Sequence, residues 1–103
     1  MNAQAMNEYM YMFVDQRLST PQKIIQVAHA AAKIGENYHG NTYATLCGAK
    51  DEDHLKAISE YLDTHGIDHH CFFEPDIGQY TAIATQPLKG EARYPLKKFS
   101  LLT

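Results

Sequence analysis

Apolar and polar positions alternate in two different rhythms along this chain. The stretch "EYMYMFVD", Glu8 to Asp15, is an almost unbroken run of aromatic, thioether and branched residues, as in a buried strand. From Thr20 the apolar residues recur at helical spacing: Thr20 suits an N-cap and Pro21 the first helical position. Gly35 stands where a left-handed cap would end that helix. "TYATLCGA" reads as a second strand. Asp51 then caps a second helix that carries Leu55, Ile58, Tyr61 and Leu62 inward and closes at Gly66. "HHCFFEP" is a third strand, "PDIGQ" a turn, and "YTAIAT" a fourth strand ended by Pro87. "KKFSLLT" is expected to add a short edge strand. The order β-α-β-α-β-β implies two right-handed crossovers and a hairpin, hence an α/β domain with a four-stranded mixed sheet and flanking helices in two or three layers.

At 103 residues there is room for one core, so residues 8–103 form a single domain and the polar residues 1–7 a disordered leader. No apolar run is long enough to cross a bilayer, and no signal peptide is present, so a cytoplasmic protein is expected. Two cysteines, Cys47 and Cys71, make no disulfide framework and read as reduced, buried thiols. The net charge of −3 argues against a general nucleic-acid binder. Eight acidic residues crowd between Asp51 and Asp76 against the single Lys56. An anionic partner would therefore meet the flanks, through Arg17, Lys23 and Lys33 or through Lys89, Arg93, Lys97 and Lys98.

On a helical wheel Ile24, Val27, Ala28, Ala31, Ala32 and Ile34 share one arc, with Ile25 at its margin. Gln22, Gln26, His29 and Lys33 gather on the other side as a polar stripe, and Lys23 sits on a shoulder near the positive end of the helix dipole. A polar stripe is the ordinary outer face of a helix. Glutamine and histidine backed by alanine also suit a face that meets a polar partner. Six histidines invite a metal reading, but no C-x-x-C or H-x-x-x-H pattern supplies convergent ligands; neither metal nor cofactor is expected. His69 and Cys71 share a face of their strand. The C-terminal edge strand and the alanine flank of the first helix are the places for a homodimer contact.

"KIIQVAHAA", Lys23 to Ala31, resembles the first-helix motif K-[IV]-A-A-Q-x-x-H-A of the peptidyl-tRNA hydrolase 2 family of archaea and eukaryotes, with Lys23, Gln26, His29 and Ala30 set against it. "EPDIGQYTAIATQP" is similar to that family's D-A-G-x-T turn and the strand after it, and "KKFSLL" to its L-K-L-L ending. The resemblance implies a peptidyl-tRNA hydrolase 2 fold and metal-free hydrolysis of the ester between a peptide and tRNA. A positioned water attacks the carbonyl and a cation stabilises the oxyanion. By that resemblance Lys23 is the cation, Asp76 orients water or lysine, and His29 completes the catalytic group. Gln26, Gln22, Arg17, Tyr80 and Thr81 bind substrate, which is tRNA or peptidyl-tRNA. Asp15 and Ala44 stand where the family carries further basic residues. The family's threonine aligns with Tyr80 and not Thr81: either Thr81 reaches the site through a local bulge, or Tyr80 supplies the hydroxyl. A non-catalytic RNA- or protein-binding module on the same fold is the alternative.

Overall fold

The structure is a computed structural model that describes residues 7–38 and 42–102. Most of the expected leader, residues 1–6, lies outside them. The elements are β1 (Tyr9–Asp15), α1 (Thr20–Ile34), β2 (Tyr43–Ala49), α2 (Glu52–Thr64), β3 (His69–Glu74) and β4 (Gln79–Thr85). The four strands form one mixed sheet in the order β2-β1-β4-β3. β1 runs parallel to β2 and antiparallel to β4, and β4 pairs antiparallel with β3 as a hairpin.

Side-chain alternation along β1 builds two cores. Tyr11 and Phe13 point to the side covered by α2, where they meet Cys47, Leu55, Ile58, Leu62 and Ile83. Met10, Met12 and Val14 point the other way, to Ala30 and Ile34 of α1 and to Ala82 and Ala84 of β4. With one helix on each face the domain has three layers, and the central strand is apolar on both sides because both sides are covered.

Several local expectations are corrected. The N-cap of α1 is Ser19, whose hydroxyl accepts from the Gln22 N–H at 3.3 Å; Thr20 is already inside the helix and Pro21 follows it. Gly35 keeps right-handed geometry (φ −64°) and the chain tightens there into a 3-10 turn over Gly35–Asn37, so no left-handed cap forms. The segment after β4 passes through a 3-10 helix, Gly90–Leu96, that inserts Leu96 into the α2-side core. The expected C-terminal edge strand is reduced to one bridge, Leu101 against Cys47, with the Leu102 N–H donating to the Leu46 carbonyl at 2.9 Å.

The wheel of α1 is also rotated from the expected one. Its buried residues are Gln26, Ala30 and Ile34, while Ile24 is 62% exposed and Ile25 47%. The reason is long-range. A buried glutamine is tolerated only where every polar atom is paired, and two of the three partners of Gln26 come from β3 and β4. Among the described residues no helix is long and apolar enough to cross a membrane.

Candidate functional site

The carboxyl ends of β1, β2 and β3, the start of β4 and the N-termini of both helices all fall at one end of the sheet. The connections from β1 and β2, which are neighbours, leave on opposite faces there, the position at which open α/β sheets characteristically bind ligands. Two polar clusters occupy this end.

The first is built around Gln26. Its carbonyl Oε1 accepts from the Thr81 hydroxyl at 2.7 Å. Its amide nitrogen donates to Gln22 Oε1 and to Glu74 Oε1, each at 3.2 Å. Glu74 as a carboxylate only accepts, which sets the amide nitrogen toward it and leaves the oxygen for Thr81. Gln26 and Thr81 are both fully buried.

Thr81 reaches this cluster through a bulge. Phe72 pairs with Ala82, yet the next residue, Phe73, pairs with Tyr80, so Thr81 is the extra residue on β4. The bulge turns Thr81 to the α1 side with Ala82, while Tyr80 turns to the α2 side beside Cys71. Of the two candidates for the hydroxyl, Thr81 is the one beside Gln26. Tyr80 stacks edge-to-face on Phe73 and gives its backbone N–H to Glu52 at 2.8 Å.

The second cluster holds Asp15, also fully buried. Arg17 grips it through Nε at 3.0 Å and through a terminal nitrogen at 2.7 Å, and donates its backbone N–H at 2.9 Å. Gln79 adds a fourth donor at 2.9 Å. Burial acts to raise the carboxyl's pKa, but the Arg17 and Gln79 hydrogen bonds outweigh it and hold the group below its ordinary value. A cleft of about 250 Å³ lies alongside, walled by Arg17, Gln79 and the acidic trio Asp51, Glu52 and Asp53.

The other predicted site residues are not drawn together. Lys23, half-buried, lines an apolar cleft of about 300 Å³ with Thr20, Val27, Leu46 and Leu102. Asp76 is exposed in the β3–β4 turn, and among the described residues the two form no ion pair. His29 lies on the exposed flank of α1 with its ring stacked on Phe72, centroids 4.6 Å apart and planes 9° from parallel. Among the described residues no group of three or more His, Cys, Asp or Glu is placed to hold a metal ion.

The expected match of Lys23 to the motif's lysine is corrected by the motif's own spacing. With Gln26, His29 and Ala30 in register, four steps separate the motif's lysine from its glutamine, and that lysine falls on Gln22. Lys23 is one place later, turned by about 100° around the helix. Gln22 is the residue that shares the face of Gln26 and bonds to it. Glu74, Gln79 and Asp15, all part of the two clusters, were missing from the expected site. Their only trace in the sequence is that each is a polar residue at the end of an otherwise apolar strand.

Neither comparison with protein-family models nor comparison with curated proteins finds a match. Among solved structures, a protein of unknown function from Agrobacterium tumefaciens str. C58 is similar to this chain at TM-score 0.63 and 16% identity, over 94% of this chain and 98% of that one. The likeness is one of fold.

Proposed function

We propose that this chain is a divergent domain of the peptidyl-tRNA hydrolase 2 type whose sheet-end site binds a partner without hydrolysing an ester. The observation that carries the reading is Gln22 in the place of the motif's lysine, hydrogen-bonded to Gln26 and thereby part of a closed network that holds no cation. An oxyanion needs a cation or convergent N–H donors aimed at it. Here both Gln26 amide hydrogens are spent on neighbours and the Arg17 guanidinium is held by Asp15. Asp51, Glu52, Asp53 and Asp76 rim the same end and repel phosphate. They favour a protein partner with a basic segment over tRNA.

Hydrolysis of a peptidyl-tRNA ester is the second reading. It is favoured by Thr81 reaching Gln26 and by Lys23 in the first turn of α1 without an ion-pair partner among the described residues. In that chemistry Lys23 would face the developing oxyanion and Asp76 would orient the attacking water.

Binding to deacylated tRNA across a salt series tests the choice of partner. The protein-binding reading expects weak binding whose affinity hardly depends on salt; a fall of tenfold or more between low and moderate salt would show phosphate contacts and reject it.

A further inference from the structure

On the α2 side of the sheet, three side chains form a hydrogen-bonded line that the sheet-end site does not use. His69 and Cys71 share that face of β3, and Ser59 meets both from the middle of α2. His69 Nδ1 lies 2.9 Å from the Ile67 carbonyl. A carbonyl only accepts, so Nδ1 carries the proton and Nε2 offers its lone pair. The Ser59 hydroxyl, 2.7 Å from Nε2, therefore donates to it. Ser59 Oγ is left as an acceptor, and the Cys71 thiol donates to it across 3.3 Å. A backbone atom thus fixes the direction of the whole line, from thiol to hydroxyl to imidazole.

Such a line is also what a satisfied interior looks like, and the surroundings decide between the two. Ser59 and Cys71 open onto a cleft of about 360 Å³, a size that takes a small molecule. Lys56 and Glu60 of α2 and Tyr80 of β4 line it. His69 is 7% exposed in its side chain, and the Asp63 carboxylate stands 3.9 Å from Nδ1. The His69 pKa is raised, first by the Cys71 sulfur and then by the Ile67 carbonyl and the charges of Cys71 and Asp63, against the opposing effect of burial. Cys47 offers the contrast: it is 1% exposed, and burial pushes its thiol pKa up.

We infer that Cys71 is a modification site, a thiol that exchanges with low-molecular-weight disulfides while Ser59 and His69 take its proton. The thiol proton passes to Ser59 and the Ser59 proton to His69 Nε2, leaving a thiolate. Its sulfur attacks one sulfur of the disulfide, forming the Cys71 mixed disulfide as the original S–S bond breaks. The departing thiolate recovers a proton from the imidazolium through Ser59. One disulfide is consumed, one mixed disulfide and one thiol are produced, and no further oxidant is required. The inference is independent of what the sheet-end site binds.

The test is a quenched time course of the whole protein with oxidised glutathione, read by peptide mass spectrometry. A short unstructured peptide carrying the same cysteine is the reference. The expected result is an adduct on Cys71 and none on Cys47, formed at pH 7 on the order of tenfold faster than on the peptide. Ser59→Ala and His69→Gln should bring that rate down to the peptide's at pH 7. If either variant fails to fold by circular dichroism, the rates of Cys71 and Cys47 in the unaltered protein at pH 7, set against the peptide's, decide instead. A Cys71 rate at pH 7 no higher than the peptide's, an unchanged rate in folded Ser59→Ala and His69→Gln, or equal labelling of Cys47 overturns the inference.

Discussion

Thr81 is one residue out of step with its neighbours, and the cluster around Gln26 depends on that step. Without the bulge its hydroxyl would face α2 and the Gln26 carbonyl would be buried without a donor. Thr81→Val keeps the shape and removes the donor. It should lower stability by about 1–3 kcal/mol in urea unfolding, the cost of an unsatisfied buried acceptor. Asp15 makes a second prediction, in pH. Its pKa is lowered by folding, so the stability it contributes is fully present above the unfolded value of about 3.9 and is lost as pH falls through the folded one. Asp15→Asn should therefore destabilise by about 1–3 kcal/mol at pH 7. Measured by urea unfolding, the deficit should shrink steadily below about pH 4.

At the scale of elements, the periods of the sequence were enough to place β1–β4 and both helices, because buried strands and amphipathic helices are local signals, but not the C-terminal segment, where the expected edge strand is one bridge. The face of α1 was not local. Ile24 and Ile25 outrank Gln26 on any scale of hydrophobicity, yet they are exposed and Gln26 is buried. Only partners 48 and 55 residues away make that arrangement stable. The same holds for the site: Gln26 was legible in the motif and Gln22 in the polar stripe of α1, Thr81 and Tyr80 stood as alternatives, and Glu74, Asp15 and Gln79 appear only once the strand ends are brought together. Ile24→Lys should accordingly change stability by no more than about 0.5 kcal/mol in thermal or urea unfolding. Gly78, at φ +76° in the β3–β4 turn, is different: an L side chain there is strained, and Gly78→Ala should cost about 1 kcal/mol.

At the scale of the whole molecule, the charge distribution read from the sequence takes on a different meaning once folded. The basic flanks expected to meet an anion are partly spent within the domain. Arg17 is held by Asp15 and Lys33 by Glu36, the Arg93 guanidinium lies 3.6 Å over the Tyr9 ring, and Lys98 lies 3.7 Å over Tyr61. The acidic groups, by contrast, stand around the cleft at the sheet end. That asymmetry and the displaced lysine both support the proposal of a site that binds and does not hydrolyse. The most direct measurement is release of free tRNA from an N-acetyl-aminoacyl-tRNA by the purified protein, run beside Lys23→Ala. Release no faster than in buffer, from folded protein, is the predicted result. Release well above buffer that Lys23→Ala lowers by about a hundredfold, roughly 2.7 kcal/mol of barrier, would contradict it and make the domain an esterase with Lys23 in its site.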